Sequence, residues 1–268
     1  MGDGSVRPFR FNAHQSAYLA FASRNLFGGY ELAETMFLEA MLAKATCFYD
    51  IGANWGYYSL LAATHPEYHG NIYSFDISEE MNLALSGMVQ DLQCQTVKIM
   101  GHGLSDHAGY SKISADRATH LIRIVPDADL QQVSRAAKVD RLDDLDIPPP
   151  DIMKLDVEDH ESEVLEGGRR ILDEHRPLVL FESRDSEDGG KAGELLESHG
   201  YSLYSLQPRT GPDAAIDLTP LQSVTSGMDS HLNLAAVPRG DETRWFGKQL
   251  PQDDPETEPD RTNQPVQR

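Results

Sequence analysis

The chain has 268 residues, 40% of them hydrophobic, enough to bury one large core rather than two very small ones. Its 43 acidic residues against 23 basic ones, with only seven lysines, leave a formal charge of −20, so free nucleic acid and anionic membranes are not expected as main partners. No stretch approaches the roughly 18 uninterrupted apolar residues of a membrane span, and the opening MGDGSVRPFRFN has no signal-like apolar run, so a cytoplasmic protein is expected.

Residues 1–45 are read as an N-terminal helical cap or lid. Within them Tyr30–Ala43 places Leu32, Met36, Leu38 and Leu42 at helical spacing, which suits a helix covering one face of a sheet. From residue 46 to about 248, short apolar runs alternate with helical patterns, the order of βαβ units. Strands are expected at Cys47–Ala53, Asn71–Asp76, Thr96–Gly101, Asp151–Val157, Pro177–Ser183, Tyr201–Leu206 and His231–Val237. Helices are expected at Tyr57–Thr64, Glu79–Leu92, Glu161–Asp173 and Lys191–His199, the last stopped by Gly200. The fold class is therefore α/β, a doubly wound, mostly parallel sheet of seven strands. Tyr110–Ile113 and His120–Val125 are β-like and suggest an inserted hairpin at about 110–138, where substrate selection can sit; Pro148–Pro150 then feed the chain extended into the Asp151 strand. Residues 249–268 carry only Leu250 and Val266 as aliphatic side chains besides prolines and are expected to form a disordered acidic tail. Cys47 and Cys94 sit among apolar neighbours with no metal-type spacing and read as core residues.

The segment Phe48–Leu61, FYDIGANWGYYSLL, is the most informative. An apolar strand carries Asp50 near its end and runs through Gly52, Asn54 and Gly56 into a helix, so the backbone can turn sharply and approach a ligand where no Cβ stands in the way. The spacing is G-x-N-x-G rather than the G-x-G-x-x-G of dinucleotide sites, and an acid two residues before the first glycine opposes a pyrophosphate but suits an ammonium and a sulfonium. The next strand ends in Asp76, placed to accept hydrogen bonds from ribose hydroxyls. S-adenosylmethionine meets these demands; an NAD(P)-binding oxidoreductase is the alternative, and a purely structural turn leaves Asp50 and Asp76 unexplained.

Four blocks, GYELAETMFLEAM, YDIGANWGYYSLLAA, IMGHGLSDHAGY and DIMKLDVEDHESEVLEGGRRILDEHRPLVLFE, together resemble the FkbM-type methyltransferases over about residues 29–183. The resemblance implies a class I methyltransferase fold and O-methylation of small molecules or sugars. It further implies Asp50, Gly52, Asn54 and Gly56 around the methionine part of the cofactor, Asp76 on the ribose, and Gly103 and Leu104 flanking the adenine. The chain departs from the family where Glu-Pro becomes Asp76-Ile77 and where Glu-Gly becomes Glu158-Asp159.

Methyl transfer from a sulfonium is an in-line displacement, so catalysis lies mostly in positioning, with a base assisting a neutral hydroxyl. Lys154, Asp156 and Glu158 alternate at the end of the fourth expected strand and share one face if that strand persists. Asp156 is favoured for acceptor contact and Glu158 is second; the competing reading is a structural Lys154–Asp156 ion pair with Glu158 capping the next helix. Carboxylates there also suit a divalent cation, although no metal is expected. His102, His107 and His160 lie in neighbouring loops as alternative bases or solvated bystanders. Trp55 and Tyr57 either stack on a ligand or pack in the core. A catalytically silent S-adenosylmethionine-binding protein would keep the loop but need none of this acceptor chemistry.

Overall fold

The computed structural model describes residues 30–115, 122–124, 135–183, 187–209, 215–221 and 232–247. Helix α1 (Leu32–Leu42) leads into β1 (Cys47–Ile51), α2 (Tyr57–Thr64), β2 (Asn71–Phe75), α3 (Glu79–Leu92) and β3 (Val97–Ile99). Four short strands follow, β4 (Gly103–Leu104), β5 (Gly109–Ala115), β6 (Ile122–Ile124) and β7 (Arg135–Asp140). Then come β8 (Ile152–Leu155), α4 (Glu161–Glu166), α5 (Arg169–Glu174), β9 (Leu178–Ser183), α6 (Glu187–Ser198), β10 (Tyr201–Arg209), β11 (Ala215–Pro220), β12 (Leu232–Pro238) and α7 (Glu242–Phe246).

The main sheet runs in the order β11-β10-β12-β9-β8-β1-β2-β3. Pairings from β9 through to β3 are parallel, while β12 is antiparallel to both β9 and β10. All seven expected strands belong to it, but it has eight: β11 pairs antiparallel with β10 at one edge. That strand was missed because Ala215–Pro220 is half-buried to exposed at every position and carries no continuous apolar run. Strands β4 to β7 form a separate small sheet, order β4-β7-β5-β6, which occupies the connection between β3 and β8.

Alternate residues of the central strands divide between two cores. Phe48, Ile72, Ile152 and Leu180 face α1, α2 and α7, joining Phe37, Leu38, Tyr58 and Trp245. Tyr49, Tyr73, Met153 and Phe181 face the other layer, joining Val164, Leu165, Leu172 and Leu196. Burial on both faces is why these strands read as unbroken apolar runs. The expected cap helix is α1, whose Phe37, Leu38, Met41 and Leu42 are buried; residues 1–29 and the proposed tail at 249–268 lie outside the described residues.

Helix starts follow local chemistry. Ser78 caps α3 by accepting a hydrogen bond from the Met81 N–H at 3.3 Å, with Glu79 and Glu80 in the first turn. The single helix expected at Glu161–Asp173 is instead two, α4 and α5, broken at Gly167 and Gly168. Asp143 restarts the second by accepting from the N–H groups of Arg170 and Ile171, each at 3.0 Å. Gly167 also passes close to another backbone, since a Cβ there would stand 2.1 Å from the Ser105 carbonyl oxygen. Helix propensity alone predicts that Gly167→Ala stabilises by up to about 1 kcal/mol. The close approach reverses the sign, and a net loss of roughly 1–3 kcal/mol is expected in urea denaturation.

Candidate active site

A cleft opens at the carboxyl ends of β1, β2, β4 and β8. Seven of the residues singled out from sequence line it: Gly52, Asn54, Asp76, Gly103, Leu104, Asp156 and Glu158. His160, one of the alternative bases, lines it too, and Ile51, Phe75, Ile77, Ser78, Met81, Ile124 and Val157, which the sequence does not single out as site residues, complete the wall. The apolar members carry no chemistry of their own to mark them, and only the fold reveals their place.

The glycine bend is tied to β2, with the N–H groups of Gly52 and Ala53 both donating to the Phe75 carbonyl at 2.9 Å. Gly52 (φ 80), Asn54 (φ 51) and Gly56 (φ 93) are all left-handed, and Asn is among the few side chains that tolerate that region. A Cβ on Gly52 would stand 1.8 Å from the Asp156 carbonyl oxygen, so this glycine lets the loop and the β8 terminus meet. Gly56 does not line the cleft; it lies against the Leu85 side chain of α3.

Asp76 closes the same bend. Its Oδ2 accepts from the Asn54 N–H and its Oδ1 from the Ser78 N–H, each at 2.7 Å. Burial pushes its pKa up to about 6 against the opposing pull of these two N–H groups.

Asp50 departs from expectation. It is 1% exposed and sits beneath the loop rather than in the cleft wall. Its Oδ2 accepts from Ser59 Oγ at 2.6 Å, while Oδ1 is buried with no hydrogen-bond partner. Burial raises its pKa, with the Lys154 ammonium pulling the other way.

Lys154 is paired in register with Asp50 across β8 and β1 and is also buried. Its Nζ donates to Asp156 Oδ2 at 2.8 Å and stands 4.5 Å from the centre of the Tyr58 ring. Burial opposes its charge, but the carboxylates of Asp156, Glu31 and Asp50 hold its pKa above the ordinary lysine value. The ion pair weighed from sequence is thus present, and Lys154 itself is absent from the cleft wall.

The expected alternation of Lys154, Asp156 and Glu158 fails because β8 ends at Leu155. Glu158 and Asp159 turn left-handed at φ 57 and 67, and this turn brings Glu158 to the cleft. The side chain that accepts from the Val157 N–H ahead of α4 is Glu161, at 3.0 Å.

Of the three histidines, His160 alone lines the cleft; it is 8% exposed, with Nε2 3.0 Å from Ser105 Oγ. His102 is buried too, its Nδ1 2.9 Å from the Met100 carbonyl, and burial lowers its pKa. Neither is the solvated loop histidine that spacing suggested. His107 is half exposed and contacts Asp106. Trp55 packs edge-on to Tyr57 with ring centres 5.7 Å apart, and neither lines the cleft. Among the described residues no cluster of three or more His, Cys, Asp or Glu is arranged to hold a metal ion.

Five parallel strands, an antiparallel β12 between β9 and β10, and a cleft over the ends of β1 and β8 define a class I methyltransferase fold. The Methyltransferase FkbM domain matches residues 50–203, and the chain belongs to this family. Among solved structures, the FkbM methyltransferase from Methylobacillus flagellatus is 17% identical, with a TM-score of 0.49 over 72% of this chain and 44% of that one. The chain thus spans less than half the length of that protein. A precorrin-6y C5,15-methyltransferase from Geobacter metallireducens is 15% identical, with a TM-score of 0.44 over 80% of this chain and 91% of the other. An O-methyltransferase from Bacillus cereus, in complex with SAH, is 12% identical, with a TM-score of 0.46 over 82% and 88%. No curated protein sequence matches the chain.

Two predictions follow from the charges. The folded state binds the Asp76 proton more tightly than the usual carboxylate value of 3.8, so its contribution to stability is complete below about pH 4 and is lost as pH rises through about 6. Asp76→Asn should remove that part of the slope between pH 4 and 6 in urea melts. Lys154→Met strands the Asp50 and Asp156 carboxylates without their cation and should cost about 3–5 kcal/mol in the same assay.

Proposed function

We propose that the chain transfers a methyl group from S-adenosylmethionine to a hydroxyl of a small molecule or sugar, with Asp156 contacting the acceptor. Membership of the FkbM family supports methyl transfer, and the observation that carries the acceptor assignment is the position of Asp156. It lines the large cleft and also a smaller pocket next to it, so it stands where two bound molecules would meet.

The cleft fits the methyl donor. Ile77, Gly103 and Leu104 give the cleft an apolar stretch of wall for adenine, and the absence of a Cβ on Gly103 lets the Ile77 side chain pack directly against its backbone. Asp76 retains lone pairs for ribose hydroxyls beyond those engaged by the Asn54 and Ser78 N–H groups. The bend at Gly52 and Asn54 receives the methionine part, whose ammonium feels Asp50 through the loop rather than by contact. When bound, the donor supplies an electrophilic methyl on a sulfonium.

The remaining work falls to side chains. Lys154 holds one oxygen of Asp156, leaving Oδ1 to orient the acceptor hydroxyl and take its proton as the new C–O bond forms. Glu158 and His160 line the same wall and shape the approach. In this reading α1 acts as the lid, and the small sheet of β4 to β7 contributes acceptor selection through Ile124. The acidic composition favours a small acceptor over nucleic acid in a cytoplasmic setting, and among the described residues no helix is long and apolar enough to cross a membrane. The G-x-N-x-G bend and family membership speak against the dinucleotide alternative.

Calorimetric titration with S-adenosylhomocysteine should show binding, and an absence of both heat and thermal shift would sink the proposal. Asp156→Asn keeps an oxygen for Lys154 but loses basicity. Turnover should fall by about 100-fold or more, with S-adenosylhomocysteine affinity within about threefold of wild type.

A further inference from the structure

Next to the cleft, and sharing Asp156 with it, lies a second, smaller pocket lined by Glu31, Glu34, Lys154, Asp156, Glu182 and Asn233 among others. Glu182 and Asn233 are register partners on antiparallel β9 and β12, and both line this pocket together with Asp156, which follows β8. Among the described residues, three carboxylates besides Glu182, which is already engaged elsewhere, face the single ammonium of Lys154.

Some of that charge is already answered. Lys154 bonds Asp156, and Glu31 Oε2 accepts from the Tyr58 hydroxyl at 2.6 Å. Glu34 is answered least: it is 3% exposed, and its Oε1 is buried with no hydrogen-bond partner. A buried carboxylate left in this state is costly, and its ligand should supply both a donor and compensating charge.

We infer that this cavity binds an ammonium group of the acceptor, so that the substrate is a hydroxylated amine. The inference rests on the methyl-transfer reading and narrows it, with Glu34 and Glu182 as binding residues beside Asp156. A neutral hydroxyl would give Oε1 a donor but leave the excess negative charge uncompensated. An anionic acceptor would add repulsion in a region of low dielectric.

Protonation supports the same assignment. Burial pushes Glu34 up to about 7, its own N–H and Lys154 opposing, Glu31 and Glu182 adding to the rise. The titratable groups facing it are Tyr30 and Glu31 beside α1, Tyr58 of α2, Lys154 and Asp156 at the end of β8, and Glu182 of β9. An ammonium favours the ionised form of Glu34. An alkylamine stays charged well above neutral pH, so its binding should tighten as pH rises from 6 to 8.

The test uses three probes matched in size: trans-2-aminocyclohexanol, trans-cyclohexane-1,2-diol and trans-2-hydroxycyclohexanecarboxylate. Each is titrated into the full chain saturated with S-adenosylhomocysteine, with binding followed by ligand-observed NMR. The aminoalcohol should bind at least about tenfold more tightly than the diol, more tightly at pH 8 than at pH 6, and the carboxylate should bind weakest. Glu34→Gln should reduce the preference to under about threefold while leaving S-adenosylhomocysteine affinity within threefold of wild type. Should that variant not fold, Glu182→Gln decides by the same criterion. Equal binding of diol and aminoalcohol, binding of none of the three, or an unchanged preference in the folded variants overturns the amine assignment and leaves the methyl-transfer reading standing. Failure to bind S-adenosylhomocysteine overturns both.

Discussion

The buried Lys154 ammonium is the interaction on which the site depends. It lies at the end of β8, in register with Asp50 on β1, bonded to Asp156 and close enough to feel Glu31. A buried cation is tolerable only when carboxylates surround it, and carboxylates in this number are tolerable only around a cation. The pairing therefore fixes three pieces of chain at once: the strand beneath the glycine bend, the strand end that carries Asp156, and the segment leading into α1.

Much of the architecture was legible because the central strands are buried on both faces. Such strands are continuous apolar runs, and all seven expected from sequence are found in the sheet. The edge strand β11 is not legible, since its alternation is only four residues long, half-buried Ile216 and Leu218 against exposed Asp217 and Thr219, with no continuous apolar run. The break between α4 and α5 is hidden for a different reason: it depends on tertiary partners, the Ser105 carbonyl against Gly167, Leu142 against Gly168 and Asp143 at the start of α5.

At the site, chemistry predicted which residues gather but not always how they act. Gly52, Asn54, Asp76 and Asp156 line the cleft, as the bend and the strand ends suggested. Asp50 does not, because a side chain inside a strand flanked on both sides and covered by α2 points into the core, where Ser59 meets it. Lys154 follows the same rule, whereas Glu158 escapes it only through a left-handed turn. Glu34 carried no signal in sequence. An acid on the apolar side of a cap helix looks like an ordinary helix-former until its surroundings are known.

The placement of β1 between β2 and β8 has a kinetic consequence. Its first neighbour follows after one short helix, but its second arrives only after the whole small sheet has been synthesised, and Asn233 comes later still. Parallel pairing over such separations forfeits chain entropy before contacts return it. The wall built from β1 and β2 can thus assemble early from nearby segments, whereas the pocket that joins Asp156 to Glu182 and Asn233 must wait for nearly the complete polypeptide, so a ribosome-bound nascent chain would acquire the two in that order.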